Sequence, residues 1–295
     1  MSPGPLVAGG SVCCVGEVMT DVVAHLPASL AAASDTRASV RLTGGGAAAN
    51  TASWLAALGV PVALVARVGD DAAGRALVDD LARRGVDVGG IEVDADLPTG
   101  ACLVMVDVEG ERTMVPDAGA NVALVLGAPF VGHVHLSAYA LFHDGVQERV
   151  LAAAAAARAA GATVSIDVAS AAPLRASGPD VVRAWCDDAL VLANLDEAHV
   201  LTGRGDPGDA ALELATWGRA AVVKAGRDGA FVAVDDTVER VPVAEVVVPV
   251  DSTGAGDAFA AGLLAASVRG ATLVDAVAAG HTAAAQVITR LGARP

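Results

Sequence analysis

The 295-residue chain is nearly devoid of lysine: of its 19 basic residues only Lys224 is one. No G-x-x-x-x-G-K-[ST] string occurs, so a Walker-type P-loop is excluded. Any phosphate bound here must be held by backbone amides, arginines or a metal ion. Aromatic residues make up 3% of the chain against 54% hydrophobic residues, so the core is Ala, Val and Leu rather than rings. Cys13, Cys14, Cys102 and Cys186 lack C-x-x-C spacing, which predicts buried free thiols in a reducing compartment, with Cys13 and Cys14 on opposite faces of a strand. No positive charge precedes the first apolar residues, so no secretory signal is expected. Charge or Gly breaks every long apolar stretch, so no membrane span is expected either. These absences predict a soluble cytoplasmic protein. A net charge of -15 argues against nucleic acid or an anionic membrane as partner. No repeat or linker divides the chain, which predicts one α/β domain over residues 1–295.

Short Val-rich runs alternate with longer Ala/Leu runs. Strands are expected at Val12–Val15, Val62–Val68, Val86–Val93, Val131–Leu136, Thr163–Asp167, Ala189–Ala193 and Ala221–Lys224. Helices are expected at Ala47–Leu58, Ala72–Arg83, Val146–Ala160, Val181–Trp185, Asp209–Trp217 and Ala258–Val268. Helix, glycine and strand in repeated succession mark crossover units of a parallel sheet. Gly100–Val108 and Arg112–Val115 flank Glu109-Gly110-Glu111 as a hairpin, and Met19–Leu26 and Ser39–Thr43 are also extended. They predict a small second sheet, either a lid over the main sheet's C-terminal edge or an ordinary antiparallel edge.

The richest segment is Val246-Val247-Val248-Pro249-Val250-Asp251-Ser252-Thr253-Gly254-Ala255-Gly256-Asp257. It reads as a strand, a glycine-rich turn and a helix whose first turn carries a carboxylate. Unpaired amides of Gly254, Ala255 and Gly256 converging at a helix N-terminus form an anion site. Beside it Asp257 is either a dipole-favoured first-turn acid or a base that takes a proton from an alcohol.

Asp251 to Asp257 resembles the D-[ST]-T-G-A-G-D signature of the ribokinase-like (PfkB) carbohydrate kinases. The N-terminal signature is matched by Gly45-Gly46, Asn50, Ala52, Leu58-Gly59, Val68-Gly69-Asp70-Asp71 and Gly74. Asn194-Leu195-Asp196-Glu197 resembles the family's N-x-x-E segment, and Lys224 to Gly229 its K-x-G-x-x-G turn. Thr289 to Ala293 is similar to the family's tail. The matches run in family order from Gly16 to the C-terminus.

The resemblance implies a doubly wound, mostly parallel α/β fold with helices on both faces and a β-lid from about 17–43 and 97–116. It implies an ATP-dependent kinase acting on a sugar hydroxyl, with a nucleoside kinase or a non-catalytic sugar-binding protein as alternatives. Asp257 becomes the base and Gly254, Ala255 and Gly256 the anion hole. Asp21, Gly45, Gly46 and Asn50 become acceptor contacts. Asn194, Lys224, Gly226, Gly229, Thr253 and His281 fall on the nucleotide side. Glu197 is implied to organise Mg²⁺, and Asp251 to face K⁺ with carbonyls near Gly292. Alone, Asn194 and Glu197 would read as a helix cap pair. Lid pairing implies a homodimer, for which Ala101–Val106 is apolar enough.

Two departures bear on the acceptor. Ribokinases proper carry Lys where this chain has Ala47, and many sugar kinases carry D-P-N where it reads Asp167-Val168-Ala169. His133 and His135 share a strand face as metal ligands might, but no third ligand cluster accompanies them, so metal binding is not expected.

Overall fold

The computed structural model describes residues 7, 10–31, 33–108, 112–126, 130 and 132–295. The hairpin turn expected at Glu109–Glu111 and the strand start expected at Val131 lie outside the described residues. Apolar runs too short for a helix and rich in β-branched residues form nine strands of one sheet. They are β1 (Val12–Val15), β4 (Val62–Gly69), β5 (Asp87–Asp94), β8 (His133–Ser137), β9 (Thr163–Asp167), β10 (Ala189–Asn194), β11 (Ala220–Lys224), β12 (Ala230–Val234) and β13 (Thr237–Val241). Their order is β13-β12-β11-β10-β9-β8-β1-β4-β5. From β5 to β11 every neighbouring pair is parallel, and β12 and β13 close one edge antiparallel.

Helices cover both faces, as a buried parallel sheet requires. On one face lie α1 (Ala47–Ala57), α2 (Ala72–Arg83), α8 (Ala255–Ser267) and α9 (Leu273–Val287), which contribute Leu55, Leu81, Leu263 and Val277 to the core. On the other lie α3 (Asp144–Ala159), α4 (Ala171–Ser177), α5 (Pro179–Trp185), α6 (Leu195–Thr202) and α7 (Pro207–Ala215), which contribute Val150, Leu174, Trp185 and Leu214. Cys14 belongs to the first core and Cys13 to the second, as alternation along β1 demands. All four cysteines are buried and free.

A separate four-stranded sheet has the order β3-β2-β6-β7, from β2 (Met19–His25), β3 (Ser39–Gly45), β6 (Gly100–Val106) and β7 (Arg112–Asp117). One face carries Asp21, Cys102, Val104, Arg112 and Met114. The opposite face exposes Val40, Leu42, Leu103 and Val115. No described helix is long and apolar enough to cross a membrane.

Three departures from the sequence reading have physical causes. Val246–Val250 forms no strand: β13 ends at Val241, and Val246, Val248 and Val250 stay 64%, 85% and 63% exposed. Helix α9 was not anticipated, because Gly280 and His281 interrupt its apolar pattern. Packing overrides that local signal: a Cβ on Gly280 would stand 2.9 Å from the Phe259 carbonyl oxygen, and one on Gly262 2.7 Å from that of Ala279. These glycines let α8 and α9 lie backbone to backbone. Helix α8 starts at Ala255 rather than Ala258, because Gly254 at φ 76° turns the chain directly into it.

Candidate active site

The parallel strands end side by side, and their C-terminal ends present polar groups in a row. Glu17 follows β1, and β8, β9, β10 and β11 end on Ser137, Asp167, Asn194 and Lys224. These groups line a cleft of about 1660 Å³ whose other wall is the four-stranded sheet. Single-ligand pockets run to roughly 300–1,000 Å³, so this cleft has room for two ligands together.

Asp257 stands in the first turn of α8, whose N-terminus has no side-chain cap. Gly254 is held by the tail, since a Cβ there would lie 2.7 Å from Ala293 Cα. Of the three expected cradle amides, that of Ala255 donates to the Ser252 carbonyl across a long 3.3 Å. Asp257 Oδ2 accepts from Asn50 Nδ2 at 2.9 Å. One side of Asp257 reaches the cleft while protein packs around the rest. Burial pushes its pKa to about 7, against the lowering effect of the Asn50 bond and with reinforcement from Asp167 and Glu17.

Lys224 Nζ donates to Asp167 Oδ2 at 2.6 Å. The same ammonium lies 3.5 Å from where a Cβ on Gly256 would be, so it sits against the cradle. Burial works to lower its pKa, but Asp167 and Glu197 raise it further. Burial and then Asp167 push Glu197 to about 7. Burial also raises Glu17, whose carboxylate accepts from Ser137 Oγ and, at 2.8 Å, from the first amide of α1 at Ala47. Several largely buried carboxylates thus face one ammonium at the foot of the cleft. That donor set fits a divalent cation arriving with phosphates, which would relieve the excess negative charge. Among the described residues no group of three or more His, Cys, Asp or Glu forms a ready-made metal cage.

Asn194 and Glu197 form a reciprocal capping box on α6: Asn194 Oδ1 accepts from Glu197 N at 2.9 Å, and Glu197 Oε2 accepts from Asn194 N at 2.8 Å. The cap reading is therefore correct as geometry, and it fixes both side chains on the cleft wall. Gly226 and Gly229 shape the turn after β11 with φ of 56° and 91°, and a Cβ on Gly229 would meet the Val241 carbonyl at 2.2 Å. His281 faces the cleft with its ring 5.4 Å from that of Phe259. Both of its ring nitrogens are buried without a well-formed hydrogen bond, the Pro242 backbone offering only a weak one. Burial lowers its pKa, with the Pro242 backbone a smaller opposing influence.

Of the four residues expected to contact the acceptor, Asp21, Gly46 and Asn50 line the cleft, but Gly45 does not. The Cβ position of Gly45 is filled by the Asp21 carboxylate, and that of Gly46 by the Glu17 backbone, so this chain's own atoms account for both glycines. Burial raises the pKa of Asp21 to about 6, opposed by Arg294. Asp251 lies outside the lining: its Oδ1 accepts from Thr253 N and its Oδ2 from Gly292 N at 3.0 Å, which pins the start of the loop to the tail. The two β8 histidines bond inward, His133 to Thr163 and Ser165, and His135 to Ser165, each at 2.8 Å. His133 is thereby a satisfied core group, whereas His135 also borders the cleft; burial lowers their pKa values to about 3 and about 4.

Sequence reasoning missed Glu17 and Arg112. Arg112 on β7 reaches across the cleft to the hydroxyls of Ser252 and Thr253, with Asp251 Oδ1 3.5 Å away. Nothing local marks it, because the pairing joins residues 141 apart in the chain.

The pfkB family carbohydrate kinase profile matches residues 10–295. A fructokinase of Klebsiella pneumoniae is 35% identical over 234 residues, covering 75% of this chain and 76% of that protein. The aminoimidazole riboside kinase of Salmonella typhimurium is 30% identical, covering 84% and 83%. The crystal structure of adenosine kinase from Sinorhizobium meliloti superposes with a TM-score of 0.83 at 26% identity, covering 97% and 95%. A ribokinase-like fold with a cleft roofed by a small sheet thus defines an ATP-dependent kinase of sugars or nucleosides. The chain belongs to the PfkB family of carbohydrate kinases. Membership implies ATP and a divalent metal.

Proposed function

We propose that the chain transfers the γ-phosphate of ATP to a hydroxyl, a primary CH₂OH, of a small sugar. The observation that carries this reading is the placement of Asp257. Its carboxylate sits at an uncapped helix N-terminus, bonded to Asn50 on the acceptor side, with Lys224 and Gly256 adjoining. In this reading residues 1–295 are one kinase domain, and the four-stranded sheet is a lid over the acceptor.

Asp21 and Asn50 bind the acceptor hydroxyls and Asp257 receives the proton of the attacking one. Even at a pKa of about 7, Asp257 is too weak to ionise an alcohol beforehand. Proton transfer is therefore late, as phosphoryl transfer makes the hydroxyl acidic. The Gly254–Gly256 amides and Lys224 stabilise charge on the transferred group, and Arg112 closes over it from the lid. Gly226, Gly229, Asn194, Thr253 and His281 form the nucleotide side. A Mg²⁺ ion held near Glu197 and Asn194 supplies charge neutralisation on the phosphates when bound. Asp251 Oδ2 keeps acceptor capacity for a K⁺ ion, which activity with and without KCl at constant ionic strength tests. The exposed apolar outer face of the lid fits a second copy of the chain, and sedimentation reads that homodimer directly.

A nucleoside acceptor is the second reading, favoured by Tyr139 and Phe142 in the cleft wall of a chain with few rings. ADP release with fructose, ribose and adenosine separates the two. Silence with every acceptor refutes the kinase proposal.

A further inference from the structure

Arg294 lies outside the cleft lining, its side chain only 5% exposed, directly behind the acceptor end. Its guanidinium bonds three different elements. Nε donates to Asn50 Oδ1 on α1 at 3.1 Å, one terminal nitrogen to the Gly45 carbonyl at the end of β3 at 2.8 Å, and the other to Asp80 Oδ2 on α2 at 3.3 Å. The tail that delivers it is anchored one residue earlier, where the Ala293 carbonyl accepts from Trp54 Nε1 at 2.8 Å. The backbone of β3 is cut to fit, since a Cβ on Gly44 would lie 2.2 Å from the Arg294 guanidinium.

Chemistry gives this contact a direction. A guanidinium has donors and no acceptor, so only the oxygen of the Asn50 amide can face it. The Asn50 NH₂ must then point the other way, and there it donates to Asp257 Oδ2 at 2.9 Å. Without Arg294 the two ends of that amide could exchange places, and an oxygen turned toward the Asp257 carboxylate would repel it. The charged groups around Arg294 are Asp80 on α2, Arg84 at that helix's C-cap and Asp21 on β2. Asp80 is shared among Arg84, at 2.8 Å, Arg294 and, at 3.6 Å, Arg83, so neither the carboxylate nor Arg294 is left unpaired.

We propose that Arg294 is a positioning residue for the phosphoryl acceptor, fixing the polarity of the Asn50 amide toward Asp257 and the seat of the lid strand at Gly45. The proposal rests on the assignment of Asp257 and Asn50 to the acceptor site. It requires more than a structural pin, because the bond has one polarity and terminates on the base.

The test uses the full chain with Arg294→Leu, Arg294→Lys and Gly44→Ala. The first readout needs no acceptor: the side-chain amide proton pair of Asn50 in a ¹⁵N–¹H spectrum, assigned by its loss in Asn50→Ala. Held between Arg294 and Asp257, the pair exchanges slowly with water in the wild type. It moves to the free-amide position in Arg294→Leu and returns part of the way in Arg294→Lys. The second readout is steady-state kinetics with fructose and adenosine. Arg294→Leu loses about 10- to 100-fold in kcat/KM for the acceptor, as expected for a lost hydrogen bond to a charged group, while the KM for ATP stays within about twofold. Arg294→Lys recovers part of the loss. An unmoved Asn50 pair, or an equal loss toward ATP and acceptor, overturns the proposal. If Arg294→Leu does not fold, Gly44→Ala gives the same two readouts by displacing the guanidinium. Absence of turnover in the wild type refutes the kinase reading alone and leaves the Asn50 resonance to decide this one.

Discussion

Replacing Asp257 by Asn should make the protein inactive and more stable at the same time, and the two effects can be read separately. The group's pKa is raised from 3.8 to about 7, mainly by burial. A carboxyl whose folded pKa lies above its unfolded value contributes its full stability below pH 3.8. That stability is lost as pH rises, because the unfolded chain gives up its proton first, and the loss is complete above about pH 7. About three pKa units correspond to roughly 4 kcal/mol, or on the order of 2–4 kcal/mol since the cleft side stays wet. Asparagine keeps an oxygen for Asn50 Nδ2 and carries no charge, so the variant escapes this penalty. Thermal unfolding from pH 4 to 9 should give matching Tm values at the acid end. The gap should open between pH 4 and 7 and then hold at several degrees above pH 7, at a few degrees per kcal/mol. Turnover should fall by about 10²–10⁴, the usual contribution of a positioned base. A Tm difference independent of pH would refute the electrostatic argument, and near-normal turnover would refute the assignment of the base.

Other perturbations test neighbouring parts. Gly254→Ala places a Cβ 2.7 Å from Ala293 at a φ of 76°, so denaturant unfolding should show a loss of roughly 1–3 kcal/mol along with collapse of turnover. Arg112→Met removes the contact between the four-stranded sheet and the loop at Ser252 and Thr253, and should lower kcat/KM by about 10- to 100-fold with little change in Tm. Asp71→Ala strips the N-cap of α2 and the bonds to Thr99 N and Oγ1, costing roughly 1–3 kcal/mol in urea titration while leaving acceptor KM unchanged. Because hydrogen bonds from Thr99 and Gly74 lower the Asp71 pKa, its contribution is present above pH 3.8 and lost as pH falls further.

What could be read in advance follows a physical division. The turn around Gly254, the capping box at Asn194 and the turn at Gly226 are local devices, and their residues lie within a few positions of one another. Their chemistry is therefore written in short strings. Arg112 and Arg294 reach residues 141 and 244 positions away, so their roles depend on how the sheets and the tail come together. The same holds for α9, whose glycine looks like an interruption until α8 lies against it. Val246–Val250 misled in the opposite sense. Its valines have strand propensity, but Pro249 lacks the amide that a ladder needs and the Val250 amide donates to the Ile288 carbonyl instead.

The scarcity of lysine acquires a practical meaning once Lys224 is located. The chain's only ε-amine is spent inside the cleft, paired with Asp167 and resting on Gly256. Its outer surface offers acylating or conjugating reagents no lysine at all. Labelling at Lys224, read on its own peptide, therefore reports access to the cleft, and its rate becomes a clock for how often the cleft is free. Nucleotide should slow the clock, which would make one amine an occupancy gauge for the whole enzyme.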